Sequence, residues 1–289
     1  SAGAEARHAE MFALFLKNQQ ASLENQHQVE ALAAVTTELD NVRVAWDWAI
    51  TQHRFELIRA AVDSVWVFYE IKNWFQEGEE MFRRAVAALT TQAQVEAPSG
   101  QAAVSESLPR RLLAQLLIRQ GWFLMRLARF EPAQAHLQEG LTLARQAGDF
   151  LEIGRALHHL GVVTNLVGHY SEAKQYLEES LFLYHQHGGN HFDLGSAVGT
   201  LGLVFLKTGQ FEQARPLIED CKRHYLQTGN PRAIALIYSF FGGFSIQIGD
   251  FGEAKRLLAE GLAFQKLIDD RIMIRMSLAW LGEVHEMLA

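Results

Sequence analysis

Five glycines set a register along this chain. Gly121, Gly161, Gly202, Gly242 and Gly282 follow one another at intervals of 40, 41, 40 and 40 residues. Nine residues after each of the first four stands a ring: Phe130, Tyr170, Phe211 and Phe251. Twelve residues after each stands an alanine: Ala133, Ala173, Ala214 and Ala254. Three marks kept in phase over four copies define an internal repeat. A chain of 289 residues built this way grows by stacking equal units, so its length does not translate into a count of separate cores.

Each unit holds two helical patterns. The first runs through the glycine, as in "RLLAQLLIRQGWFLMRL" (111–127). The second starts at the ring, as in "YSEAKQYLEESLFLYHQH" (170–187), where Tyr170, Ala173, Leu177 and Leu181 form one apolar stripe with charges opposite. Glycine inside a helix costs about 1 kcal/mol relative to alanine. Its recurrence therefore predicts a close crossing of the two helices, with the alanine of the second helix also giving room. The ring fills the space between consecutive pairs. The turns "AGD" (147–149), "HGGN" (187–190), "TGNP" (228–231) and "DD" (269–270) separate the units. Glycine there supplies a left-handed cap, and Asn or Asp starts the next helix. Pro132 falls in a first turn, where it is tolerated, whereas Pro216 lies deeper and is expected to cost one backbone bond or a slight kink. The predicted fold class is all-α, a right-handed α-α superhelix (solenoid) of helical hairpins.

Composition removes several function classes. Net charge is −7, from 26 Lys and Arg against 33 Asp and Glu, with no basic run, which argues against nucleic-acid contact. The single cysteine, Cys221, cannot close an internal disulfide and reads as a small apolar helix residue in a reducing, cytoplasmic compartment. "SAGAEARHAEMF" lacks the apolar core of a secretory signal. The longest uncharged stretch, Ala233 to Gly249, falls short of a membrane span and contains Gly242, Gly243 and Gln247. No membrane association is expected.

Upstream of Gly121 the pattern persists with an interruption. "TQAQVEAPSGQAAVSESLP" (91–109) is rich in Ala, Ser, Pro and Gly, and residues 95–109 are predicted to be a flexible insertion. Phe75 precedes Phe130 by 55 residues, which is one period plus an insertion of 15. Residues 1–54 carry two helical patterns, around 4–20 and 24–52, that do not match the repeat and are expected to form a cap. Residues 55–289 are expected to form the superhelix, with hairpins at 55–90, 111–149, 151–189, 191–229 and 231–269 and a lone helix at 271–289. That lone helix is a first helix with no second, as expected of a segment of a longer protein, and its open end offers a surface for self-association.

The G-x8-[YF]-x2-A pattern within two-helix units resembles the tetratricopeptide repeat (TPR). The usual unit has 34 residues and a proline near the end of its second helix; here the unit has 40 and that proline is absent. This longer form is similar to the repeats of bacterial STAND-class signal-transduction ATPases and regulators. "ELDNVRVAWDWAI" (38–50), through Glu38, Asp40, Asn41, Arg43, Ala45 and Trp48, resembles the segment that opens the repeat region in those proteins. The resemblance implies a sensor region that binds an inducer or partner and controls a nucleotide-binding module. The chain itself has no G-x-x-x-x-G-K-[ST] phosphate loop, so it is not expected to hydrolyse ATP.

Candidate chemistry is sparse, and no enzyme activity or cofactor is expected. Among twelve histidines, His185, His187 and His191 cluster in "HQHGGNH", yet no carboxylate or thiolate completes a zinc set, and histidines near a helix C-terminus also favour its negative end. Of His158 and His159, one imidazole is expected to face the groove and the other a neighbouring helix. Glu79–Glu80 and Glu178–Glu179 point about 100° apart on a helix and are expected to be solvated outer-face charges. Trp46, Trp48, Trp66 and Trp74 are expected to form the packing seam between cap and first hairpin, with an aromatic recognition patch as the alternative.

In the resembled family the first helix of each hairpin lines the concave surface. The inward positions expected are −6, −3, +1, +4 and +5 relative to the register glycine. They nominate Trp122, Met125, Arg126, Arg155, His158, Asn165, Leu203, Lys207, Ile246 and Gln247 as groove residues, with Gln115, Ile118, Val162, Leu166, Ser196, Gly199, Leu206, Leu236, Ser239 and Gly243 sharing the same positions. The expected guest is a peptide, protein or small inducer, and cations beside an apolar floor suit a peptide with acidic and hydrophobic side chains. The reading is a non-enzymatic ligand-binding sensor segment of a multidomain regulator. The alternative is a free-standing scaffold that assembles proteins without a nucleotide switch.

Overall fold

The computed structural model describes residues 2–96 and 107–288. The described residues form fourteen α-helices and no strand. Residues 97–106, the centre of the expected flexible insertion, lie outside the described residues; on either side α5 (Phe75–Glu96) and α6 (Ser107–Arg126) are helical.

From residue 55 onward the helices alternate in the predicted hairpins. The first helices are α4 (Phe55–Ile71), α6, α8 (Phe150–Leu166), α10 (His191–Lys207), α12 (Pro231–Gln247) and α14 (Arg271–Met287). The second helices are α5, α7 (Phe130–Ala147), α9 (Tyr170–His187), α11 (Phe211–Thr228) and α13 (Phe251–Leu267). Each repeat ring is the first residue of a second helix. The register alanines and their stripe partners are fully enclosed: Ala133, Leu137, Ala173 and Leu177 have no solvent exposure. The glycines sit where predicted. A Cβ on Gly161 would lie 2.6 Å from Leu177 Cγ, and one on Gly242 2.6 Å from Leu258 Cγ. Gly282 differs, because nothing lies within 4 Å of its Cβ position.

Side chains of Asp149, Asn190, Asn230 and Asp270 accept from the backbone N–H three residues on and so cap α8, α10, α12 and α14. Turns within the hairpins also pass through the left-handed region, at Gly168, Gly209 and Gly249, and at Ala128 with φ 58°. α11 runs unbroken through Pro216.

Residues 2–51 fold as three helices where the sequence suggests two: α1 (Ala2–Leu23), α2 (Gln28–Thr37) and α3 (Leu39–Thr51). α1 and α3 pack together on α4, and α3 reaches α5. Arg43 Nε donates to Glu77 (2.6 Å), Trp46 Nε1 donates to the Met81 carbonyl (3.3 Å), and Arg84 pairs with Asp47 (2.8 Å). The 38–50 segment is thus the helix that docks the N-terminal unit onto the first hairpin. Of the four clustered tryptophans, Trp46 is buried in this seam and Trp48 packs at its edge, while Trp74 is 39% exposed. Trp66 faces inward.

The N-terminal unit also meets the far end of the stack. Asn230 Nδ2 donates to the Leu23 carbonyl (3.3 Å), and the Arg232 backbone N–H donates to Gln28 Oε1 (3.2 Å). Arg232 further donates to Glu70 Oε1 (2.6 Å), and Asn73 Nδ2 donates to Asp270 Oδ1 (3.2 Å). One of these bonds satisfies the Arg232 backbone N–H at the start of α12, which no intrahelical partner reaches, and another satisfies the Leu23 carbonyl at the end of α1. The superhelix therefore closes on itself.

Candidate functional site

Closure encloses a cavity between the first helices. The space open to the centre of a water molecule is about 280 Å³, far more than the roughly 10–15 Å³ that one water needs on that measure. Its wall is contributed by α4, α6, α8, α10 and α12 and by residues 23–28. The apolar lining includes Trp66, Trp122, Val162, Leu203, Leu236 and Phe240. Leu166, 48% exposed, marks where solvent reaches the wall.

The cavity crosses the helices obliquely. On α4 and α6 it uses their C-terminal halves, through Val67, Glu70, Ile71, Trp122 and Arg126. On α8 it runs the length of the helix, from Arg155 to Leu166. On α10 it runs from Phe192 and Asp193 through Ser196 and Thr200 to Leu203, and on α12 it uses the first ten residues, through Arg232, Leu236 and Phe240. This drift sorts the nominated residues. Trp122, Arg126, Arg155, His158, Asn165 and Leu203 line the cavity together. Met125 is buried in the hairpin core beside Leu157 and Leu160. Lys207 and Gln247 lie exposed at the C-terminal ends of α10 and α12, Lys207 with its ammonium 6.0 Å from the Tyr170 ring centroid. Ile246 packs beside Trp280 and Leu281 near the stack's end.

Two groups of ion pairs brace the wall. In one, the fully buried Arg119 donates to Asp63 (2.6 Å) and grips Glu152 through both terminal nitrogens. Arg155 donates to the same Glu152 (2.6 Å) and reaches Asp193 at 3.6 Å. The row Asp63–Arg119–Glu152–Arg155–Asp193 thus links α4, α6, α8 and α10. Although desolvation opposes it, the charge of Arg119, reinforced by that of Arg155, holds the Asp63 and Glu152 carboxyls below their ordinary range. In the other group, Glu70 accepts from Trp122 Nε1 (2.8 Å), Arg126 (3.1 Å) and Arg232 (2.6 Å).

Both His158 and His159 line the cavity, a departure from the expected split between groove and neighbouring helix. His159 packs on Trp122 at 4.4 Å between centroids, and His158 Nε2 lies 3.3 Å from Thr200 Oγ1. Burial, with the nearby Arg155 charge, lowers the His158 imidazole to about 4. Burial and the neighbouring His158 push His159 down as well. Both rings are neutral at pH 7. Several polar atoms of the wall have no partner: Trp66 Nε1, His159 Nδ1, Asn165 Oδ1, Arg155 Nε and one terminal nitrogen of Arg232. These atoms are sealed within the packed wall and do not face the open space.

The remaining candidates fall elsewhere. Glu79 is buried and accepts from Gln120 Nε2 (2.8 Å), which corrects its expected place on the outer face; Glu80, Glu178 and Glu179 are solvated there and pair with Arg83, Lys174 and Arg145. His187 stacks on Phe150 at 3.9 Å, and His191 meets His224 with their Nδ1 atoms 3.0 Å apart. No group of three metal-ligating side chains occurs among the described residues, and no described helix is long and apolar enough to cross a membrane. Sequence reasoning missed His159, Thr200 and Phe240, which share position −2 relative to the glycine. It also missed the cavity role of Trp66, although Trp66 stands nine residues before Phe75 and so holds the glycine's place in the first hairpin.

No family model matches the sequence, and no curated protein matches it. Solved structures do match its shape. The apo form of RapI aligns with a TM-score of 0.56 at 12% identity over 87% of this chain and 93% of its own. A STAND protein with a tetratricopeptide repeat sensor from Pyrococcus horikoshii aligns at 0.55 with 12% identity, over 96% of this chain and 43% of its own. The apo quorum sensor NprR from B. thuringiensis aligns at 0.51 with 13% identity, over 90% of this chain and 72% of its own. At these identities the likeness is one of fold, and the chain folds as an all-α superhelix of the tetratricopeptide type.

Proposed function

We propose that this chain is a non-enzymatic ligand-binding sensor segment whose internal cavity takes a small inducer or the end of a peptide. A cavity roomy enough for a small organic guest, lined by aromatic, apolar and charged side chains from five first helices, carries the reading. A guest there touches five first helices and the 23–28 segment at once, so its binding energy favours the closed superhelix over any opened form. The fold it shares with the TPR sensor of a STAND protein supports placement in a multidomain signal-transduction ATPase or transcriptional regulator. The scaffold alternative needs an open groove for an extended partner, and the bonds from Asn230 and Arg232 to residues 23–28 narrow that groove.

The test is a thermal-shift screen of metabolites and short peptides on the wild-type chain and on Val162→Trp, which fills the cavity. A ligand at about 100 times its Kd stabilises by about 2.7 kcal/mol. Hits should raise the melting temperature of the wild type and leave Val162→Trp unmoved. Hits that shift both equally would place binding outside the cavity and refute the proposal.

A further inference from the structure

The charges around the cavity cancel only while Glu24 keeps its proton. Its lining carries the carboxylates of Glu24, Glu70 and Asp193 and the guanidiniums of Arg126, Arg155 and Arg232. Asp63, Arg119 and Glu152 stand directly behind them in the same ion-pair row. With both cavity histidines neutral, four carboxylates match four guanidiniums, and Glu24 adds a fifth negative charge once its carboxyl ionises, above about pH 7. Glu70, Asp63, Glu152 and Asp193 each pair with an arginine. Glu24, between α1 and α2, is the odd one, and its side chain makes no hydrogen bond or ion pair. Burial, then the Asp63 and Asp193 carboxylates, raise its carboxyl to about 7, against the opposing charges of Arg155 and Arg119.

Resting on the cavity-ligand reading above, we infer that the cavity's ligand is a small organic monocation, an amine with an apolar body, and that Glu24 is its counter-ion. One positive charge neutralises the site, whereas an anion would raise the charge imbalance and a zwitterion would leave it unchanged. An inorganic ion of the same charge would leave the aromatic wall of Trp66 and Trp122 uncovered, while an organic body covers it and an ammonium is attracted to such rings.

The experiment compares phenethylamine with its isosteres phenethyl alcohol and phenylacetate, by calorimetry and tryptophan fluorescence, on wild type, Glu24→Gln and Val162→Trp. Glu24→Gln removes a carboxyl without a partner, so it should fold. The amine should bind the wild type in preference to both isosteres, lose about 30-fold or more in affinity in Glu24→Gln, and fail to bind Val162→Trp. Its affinity should rise from about pH 6 to about pH 8 in the wild type, as Glu24 loses its proton, and stay flat in Glu24→Gln. The inference is overturned if the amine does not bind, if the alcohol or acid binds as tightly, or if Glu24→Gln leaves amine affinity unchanged. Isostere binding that Val162→Trp abolishes would sink the monocation while keeping the cavity reading. Binding untouched by Val162→Trp would sink both.

Discussion

Replacing the register glycines by alanine tests the helix crossings on which the stack depends. At Gly161 a new Cβ would stand 2.6 and 2.8 Å from Leu177 Cγ and Cδ2 and 3.4 Å from the Ala173 carbonyl. Leu177 has no exposure and its branch point cannot swing away, so α8 and α9 must separate. Overpacking of this kind costs about 1–3 kcal/mol, against about 1 kcal/mol gained from alanine's helix propensity. Gly282→Ala makes the same propensity gain with no neighbour within 4 Å. The difference between the two variants isolates the crossing, at about 1–3 kcal/mol. Gly202, whose Cβ would meet Ile218 Cγ1 at 3.3 Å, should fall between them. Because stacked repeats unfold segment by segment, amide exchange in α8–α9 and in α14 should be read beside the urea midpoint. Gly161→Ala should loosen its hairpin and Gly282→Ala should tighten α14. Equal stabilisation by both would refute the crossing as the reason for the repeat.

Arg119→Met should destabilise by about 3–5 kcal/mol at pH 7, because it strands Asp63 and half-strands Glu152; urea melts should show Asp63→Asn in that background recovering part of the loss. Histidine burial makes acid costly: His158 resists protonation until about pH 4 when folded but takes a proton near 6.5 when unfolded, so stability should fall as pH drops between those values, by up to roughly 3 kcal/mol for this group. Glu24 acts oppositely, since its folded carboxyl holds a proton up to about 7; Glu24→Gln should therefore stabilise the chain at pH 7 and above and steepen its loss toward pH 5, as urea midpoints against pH would show. Ala128→Gly should gain about 0.5–1 kcal/mol in the same assay, because alanine there holds φ 58° where the later units have glycine.

The hairpins were legible because glycine, ring and alanine each answer a local steric demand that recurs at the same place in every unit. The groove was legible in part for the same reason. Positions counted from Gly121, Gly161 and Gly202 lead to Trp122, Arg126, Arg155, His158, Asn165 and Leu203. A fixed set of positions assumes that every first helix presents the same face and the same height to the axis. The lining instead shifts along successive helices, from the C-terminal half of α4 to the first ten residues of α12. That displacement leaves Lys207 and Gln247 at the rim and brings in Arg232, Asp193 and Phe240. Trp66 was hidden differently, by standing in a unit where tryptophan replaces the register glycine.

Closure lies beyond any local signal. The bond between Asn230 and Leu23 joins residues 207 apart, and nothing in "TGNP" distinguishes an asparagine that only caps a helix from one that also clasps the N-terminal unit. Asn230 does both: its Oδ1 accepts from Ala233 N while its Nδ2 donates to Leu23. The cavity depends on this double use. Without residues 23–28 across the mouth, the ion pairs of Glu70 and Glu152 would border open solvent, where such pairs are worth little. With that segment in place they stand in a poorly solvated wall, where their geometry holds the helices and any unmatched charge is expensive. The closing segment also brings Glu24 to that wall, so the element that dries the cavity delivers the one charge its arginines do not match.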